Sequence, residues 1–133
     1  MAVRELEATV RERDGVSVID LDGDIERASN EALRAAYQEA TGRGGGAIVL
    51  NFERVGYINS TGIALIVSLL AQARADGRRV TACGLTEHYR EIFQITRLSD
   101  FMGIYPDEQS AVGSTPATAR RSPERAPTGR SRE

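Results

Sequence analysis

The residues best suited to chemistry are Ser60 and Thr61, which follow Asn59 and precede Gly62. Asn, Ser and Thr side chains favour helix N-caps, because their oxygens accept hydrogen bonds from the unpaired N–H groups of a first turn. The four unpaired N–H groups and the positive end of the helix dipole favour an anion there, such as a phosphate. Gly62 is expected to leave the surface bare. Two interpretations stay open: Ser60 is a modification site, or Ser60 only caps a core helix.

Nucleophilic catalysis fits the same residues poorly. A nucleophilic serine needs a general base, and the one histidine, His88, falls on a polar helix start. No Gly-x-Ser-x-Gly elbow surrounds Ser60. The sequence allows a polar cluster of Ser60 with Asp24, Glu26 and Asn51. Nothing in the spacing of these residues demands a catalytic role for them. We therefore expect a protein that is not an enzyme.

Composition excludes other classes of function. The chain has 133 residues, with 17 arginines and no lysine against 19 Asp and Glu, a formal net charge of −2. Five arginines against two glutamates give residues 113–133 a charge of +3, which leaves −5 for residues 1–112. An acidic body argues against nucleic acid as the main partner, because phosphate contacts need clustered positive charge. The sequence also offers no Cys/His pattern for a metal, and nothing in it suggests a cofactor.

The chain lacks the features of an exported or membrane protein. The N-terminus has no apolar signal core, and the apolar run over 63–71 is about half of the ~20 residues that a membrane span needs. The one cysteine, Cys83, excludes an internal disulfide and is interpreted as a small core residue rather than a reactive thiol. We expect a soluble, cytoplasmic protein without membrane insertion.

The order of elements around these residues predicts an α/β domain. Asp14 and Gly15 separate two strand-like runs, which indicates an antiparallel hairpin. Helix patterns then alternate with strand patterns, so the later strands should be parallel and joined by helical crossovers. The predicted strands cover 5–13, 16–26, 47–52, 79–83 and 102–105, and the predicted helices cover 30–39, 60–75, 87–95 and 106–112.

Ser60 follows the predicted central strand, at the edge of the sheet where ligands of such folds gather. The helix that begins there has apolar residues at nearly every position from 63 to 71, so it is predicted to be apolar nearly all round and buried. From residue 113 onward Gly, Ser, Thr, Pro, Ala and Arg dominate, which is typical of a disordered tail. The predicted organisation is a domain over 1–112 and a tail over 113–133.

Several segments carry a resemblance to a known family. They are 23–26 (Gly-Asp-Ile-Glu), 48–51 (Ile-Val-Leu-Asn), 55–62 (Val-Gly-Tyr-Ile-Asn-Ser-Thr-Gly), and 84–85 (Gly-Leu) followed by 90–93 (Arg-Glu-Ile-Phe). The chain resembles the STAS domain over about residues 4–112, and within that family it is most similar to bacterial anti-sigma factor antagonists. The resemblance implies a single STAS-like domain with a mixed central sheet and helices packed on it.

The resemblance also implies a switch. In that family the unphosphorylated antagonist binds an anti-sigma factor that is also a serine kinase and frees the sigma factor, whereas the phosphorylated form does not bind. The phosphoacceptor falls on Ser60. Partner binding is expected at Asp24, Glu26, Asn59, Ser60, Thr61, Gly62 and Ile63, with Met102 as a further apolar candidate at the rim. The alternatives stay open that Asp24 and Glu26 are only exposed turn carboxylates and that Ile63 and Met102 are core residues.

One position departs from the family. The chain has Asn59 where the family usually has Asp, so a negative charge beside the Ser60 hydroxyl is missing. The alternative function is therefore a constitutive STAS scaffold or accessory subunit, stressosome-like or transport-associated, without a phosphorylation switch. A homodimer is left open.

Overall fold

The computed structural model describes residues 4–44 and 46–120, which form a five-stranded mixed sheet with helices on both faces. The strands are β1 (Glu7–Arg13), β2 (Val16–Ile25), β3 (Ala47–Ile58), β4 (Arg79–Cys83) and β5 (Gly103–Tyr105). The helices are α1 (Asn30–Gly42), α2 (Ser60–Ala75), α3 (Glu87–Ile95) and α4 (Glu108–Gly113). The strands lie in the order β1-β2-β3-β4-β5, with β1 antiparallel to β2 and all other pairs parallel. This confirms the predicted fold.

The β1–β2 hairpin turns at Asp14 and Gly15, whose φ angles of 52° and 81° are those of a turn that follows the strand twist. The central strand, β3, continues six residues beyond its predicted end at Phe52. It does so because β2 runs alongside it as far as Ile25, which pairs with Ile58. The longer β3 ends directly before the start of α2.

The two faces of the sheet have different covers. Helices α1, α2 and α3 pack on one face over the larger part of the core, where the rings of Phe52 and Phe93 meet edge to face at 5.7 Å. Helix α4 covers part of the opposite face over a smaller cluster that includes Val18, Val49 and Val112. The alternation of side chains along β2 and β3 supplies both clusters.

Helix α2 is buried on one side only, so the prediction of a helix buried all round is wrong. Ile66 and Leu70 face the core, whereas Val67 is 47% exposed and Ala64 and Ala71 lie in solvent. The run misled the prediction because almost no polar residue marks its outer face. Over residues 63–71 the outer face of α2 is therefore apolar apart from Ser68, whereas Gln72 and Arg74 make its C-terminal end polar.

The chain continues to pack beyond the predicted end of the domain. Thr115 is buried, and the Arg120 side chain donates to the carbonyl oxygens of Val112 and Thr115 at 2.8 and 3.1 Å. The prediction of a disordered tail is therefore wrong over 113–120, where these contacts satisfy carbonyls at the end of α4. The rest of the predicted tail, 121–133, lies outside the described residues.

Candidate functional site

The site is the start of α2, directly after the carboxyl end of β3. Asn59 is the N-cap of the helix, and its Oδ1 accepts a hydrogen bond from the Gly62 N–H at 2.8 Å. The Asn59 N–H in turn donates to the Ile25 carbonyl at 3.2 Å, which ties the cap to the end of β2. Because Asn59 performs the capping, the interpretation that Ser60 only caps the helix does not hold.

Ser60 is the first residue of α2, and it is exposed, as is Thr61. Within residues 4–44 and 46–120, the Ser60 hydroxyl forms no hydrogen bond. The N–H groups of Ser60 and Thr61 point out of the first turn and have no acceptor inside the helix. The helix start therefore has two unpaired donors rather than the predicted four. The other two are used, because the Asn59 N–H donates to the Ile25 carbonyl and the Gly62 N–H donates to the Asn59 side chain. Two donors at the positive end of the helix still favour an anion.

Gly62 faces the sheet and not the surface. A Cβ added to it would lie 2.2 Å from the Ile25 carbonyl oxygen and 3.0 Å from Cγ2 of Ile58. The prediction that Gly62 leaves the surface bare is therefore wrong. Its missing side chain allows the start of α2 to touch the backbone of β2, and this contact sets the position of Ser60.

Tyr89 of α3 fixes the end of β3 from the core side. Its hydroxyl accepts a hydrogen bond from the Ile58 N–H at 2.9 Å, and the residue is 8% exposed. The hydrogen bond from β3 to Tyr89 was not predicted from the sequence. The available signal was the hydroxyl itself, because a buried tyrosine needs a hydrogen-bond partner.

Asp24 and Glu26 lie at the end of β2, beside the end of β3. The Asp24 carboxylate accepts from the Arg4 backbone N–H at 2.9 Å, and the Glu26 N–H donates to the Ser29 hydroxyl at 3.0 Å. Both residues are half-buried. Asp24 pairs in register with Tyr57, which is 53% exposed. Sequence reasoning missed Tyr57, although strand alternation opposite the buried Ile58 marks it as outward-facing.

Two predicted neighbours of Ser60 lie elsewhere. The Asn51 side chain donates to Oε1 of Glu108 at 3.2 Å, so the predicted polar cluster of Asn51 with Ser60 does not form. Met102 is 2% exposed and belongs to the core, which confirms the alternative interpretation of this residue rather than a place at the rim. Ile63 is half-buried against the core, which leaves part of its side chain open beside the site.

His88 and Cys83 behave as the sequence predicts. His88 is exposed at the start of α3, with its ring 4.8 Å from that of Tyr89. Cys83 is buried, and burial raises the pKa of its thiol to about 12. Neither residue lies at the start of α2.

The sequence matches a family model described as "Mlab, STAS domain" over residues 8–104. The chain belongs to the STAS domain family. A Bordetella bronchiseptica protein named as an anti-sigma factor antagonist, BtrV, is 29% identical to this STAS domain over 112 residues, which are 84% of this chain and 94% of that protein.

Solved structures share the fold of this STAS domain. An anti-sigma factor antagonist from Mycobacterium paratuberculosis aligns with a TM-score of 0.71 at 20% identity, covering 83% of this chain and 93% of that one. The Bacillus cell fate determinant SpoIIAA in its phosphorylated form aligns with a TM-score of 0.61 at 24% identity, covering 80% of this chain and 97% of that one. At these identities the likeness establishes the fold.

The described part of the STAS domain contains no group of three or more His, Cys, Asp or Glu side chains placed to hold a metal ion. Over the same residues, none of the helices combines the length and hydropathy of a membrane span.

Replacing Asn59 by Ala is expected to lower the free energy of unfolding by about 1 kcal/mol, because the Gly62 N–H loses its acceptor. Asn59→Asp is the matched control, since it keeps the hydrogen-bond acceptor. It also places a negative charge at the positive end of the helix, which is expected to raise the free energy of unfolding by about 0.3–1 kcal/mol. Urea unfolding followed by circular dichroism measures both. Equal stability of the Ala variant and the original chain would contradict the capping role.

Proposed function

We propose that this STAS domain is an anti-sigma factor antagonist that binds an anti-sigma factor with serine kinase activity and is released by phosphorylation of Ser60. One observation carries the proposal: the Ser60 hydroxyl is exposed and unused by the fold, at the start of a helix that its neighbour caps. The resemblance to BtrV supports the same class of function. Such a protein acts in the cytoplasm as a regulator of transcription.

The proposed binding surface is the exposed rim around the start of α2. Ser60 and Thr61 provide its centre, and Tyr57 and Ile63 provide partly open apolar area beside it. Aromatic residues are enriched in protein interfaces, which favours Tyr57 as a contact. Asp24, Glu26 and Asn59 form the flank of this surface, while Gly62 shapes it from below.

Phosphorylation transfers the γ-phosphoryl group of ATP to Ser60 Oγ, while the hydroxyl proton passes to the kinase and ADP leaves. The phosphate adds about −1.5 to −2 charges. The N–H groups of Ser60 and Thr61 and the helix dipole stabilise that charge in the free protein. The phosphorylated protein therefore stays folded. In the complex the same charge would be buried against the partner at a high desolvation cost, so the phosphorylated protein no longer binds.

Ser60→Glu is expected to weaken binding to the anti-sigma factor by at least about tenfold, because a charge enters a desolvated contact. Ser68→Glu is the matched control, since Ser68 is exposed on the same helix two turns later. Isothermal titration calorimetry against the anti-sigma factor kinases of the source bacterium, with ADP and with ATP, measures both. Unchanged affinity of the Ser60 variant, or no binding to any such kinase in either nucleotide state, would contradict the proposal.

Asn59 favours a second candidate, a constitutive STAS scaffold or accessory subunit. The helix cap works here through an uncharged amide, so the negative charge usual in the family is missing beside the Ser60 hydroxyl. Intact-mass spectrometry with peptide mapping of the protein from its own host separates the candidates. Phosphate on Ser60 supports the switch. Its absence under stressed and unstressed growth, with a high-mass assembly that Ser60→Glu leaves intact, supports the scaffold.

A further inference from the structure

A cleft of about 570 Å³ lies at the opposite end of α2 from Ser60. It is bounded by the last two turns of α2, the start of β4 and the short turn Leu98–Asp100. We call it the arginine cleft. Helix α2 has 16 residues, and at about 1.5 Å per residue its two ends are about 24 Å apart. A small molecule in the cleft therefore does not reach the proposed partner site.

The arginine cleft is strongly positive on an otherwise acidic domain. Its lining contains one carboxylate, Asp100, against four arginines, a net charge of +3; they are Arg74, Arg78, Arg79 and Arg97. Arg97 Nε donates to the Asp100 carboxylate at 2.6 Å, so the one acidic group is already engaged. Arg74 and Arg79 are exposed. Guanidinium groups are the side chains best suited to bind a carboxylate or phosphate, so the lining of the cleft favours such a group.

The floor and one wall of the arginine cleft are apolar. Leu70 and Val80 form part of the buried floor, and Val67 extends it along the outer side of α2. The Phe101 ring stands at the rim and is 60% exposed, with the Arg74 guanidinium 5.7 Å from its centre. An exposed aromatic ring beside an apolar concavity can pack against the apolar part of a ligand.

We propose that the arginine cleft binds a small amphipathic organic anion. An aromatic or aliphatic body lies against Phe101 and Val67, and a phosphate or carboxylate group lies on the arginines, chiefly Arg74 and Arg79. The volume falls within the range of about 300–1,000 Å³ that is usual for small-molecule sites. This site uses no residue of the proposed switch, so it is independent of the anti-sigma factor proposal.

The test is a titration of the full ¹⁵N-labelled chain with phenyl phosphate, followed by NMR. Two control ligands are titrated in the same way. Inorganic phosphate carries the charge without the ring, and benzyl alcohol carries the ring without the charge. A fragment of about eleven non-hydrogen atoms is expected to bind in the millimolar to high-micromolar range. We expect saturable shifts at the amides of Val67, Leu98 and Phe101, with phenyl phosphate at least about tenfold tighter than either control ligand.

Three outcomes would overturn the proposal. The first is the absence of saturable binding. The second is equal affinity for inorganic phosphate, which would indicate an adventitious ion only. The third is a set of shifts centred on Ser60, which would place the anion at the helix start.

Substitutions within the cleft provide the second measurement. Arg74→Gln and Phe101→Ser are each expected to weaken phenyl phosphate binding about tenfold, through loss of a charged contact and of an apolar contact. Arg74→Lys should restore part of the affinity. Arg90→Gln is the control, because Arg90 is an exposed arginine of α3 outside the cleft. Cleft variants that melt like the original chain and bind phenyl phosphate equally well would contradict the site.

Discussion

Gly62→Ala is expected to lower the free energy of unfolding by about 3 kcal/mol, the largest effect of any substitution considered for the start of α2. The new Cβ would lie 2.2 Å from the Ile25 carbonyl oxygen and 2.8 Å from its carbon. Both are backbone atoms that cannot rotate away, so the helix start must move off β2. Thermal and urea unfolding measure the loss, and the position of Ser60 should shift with the helix.

Gly42→Ala is the matched control for this prediction. Gly42 also lies in a helix, and a Cβ there would meet nothing within 4 Å. Its replacement is expected to leave stability unchanged or to raise it by about 0.5–1 kcal/mol, because alanine has the smaller entropy loss on folding. Similar unfolding curves for the two variants would contradict the close packing assigned to Gly62.

Glu108→Gln is expected to lower the free energy of unfolding at pH 7 by about 2 kcal/mol and to flatten its dependence on acid pH. Hydrogen bonds from Arg11, then from Arg13 and Asn51, outweigh burial and lower the pKa of Glu108 from 4.5 to about 2. The carboxylate joins α4 to the hairpin, with Arg11 Nη1 at 3.0 Å and Arg13 Nη1 at 2.9 Å. Its side chain is 14% exposed, so solvent screens these contacts only in part.

The sign of the pH effect follows from the lowered pKa. The contribution of Glu108 is fully present above about pH 4.5 and is lost as the pH falls toward 2. Urea unfolding at several pH values between 2 and 7 measures it. Glu39→Gln is the control, because the Glu39 side chain is 55% exposed and its pair with Arg43 joins only the last turn of α1 to its own C-cap residue. An acid transition of unchanged size in the Glu108 variant would show that other carboxylates govern it.

Elements with local signals were predictable from the sequence. Strand β4 and helix α3 occupy their predicted residues. Thr86 caps α3, with its hydroxyl accepting from the Tyr89 N–H at 3.3 Å. The length of β3 was not predictable in the same way. Glu53 and Arg54 interrupt its apolar run, and only pairing with the end of β2 extends the strand.

The candidate site was predictable in its centre but not in its surroundings. The residue types from Asn59 to Gly62 indicated a helix start, yet they did not tell which side chain caps it. Gly62 faces the sheet because it packs against the backbone of Ile25, which lies far away in the sequence. No local sequence pattern could therefore predict which way Gly62 faces. The arginine cleft escaped prediction for the same reason, since its walls come from α2, β4 and the turn after α3.

The single thiol of the chain provides an intrinsic reporter of motion. Cys83 lies under α4, is 1% exposed, and has a pKa raised to about 12 by burial. Alkylating reagents attack the thiolate, so they modify Cys83 only after the cover of the sheet has opened. The labelling rate under native conditions therefore measures how often α4 detaches, and no label has to be engineered into the chain.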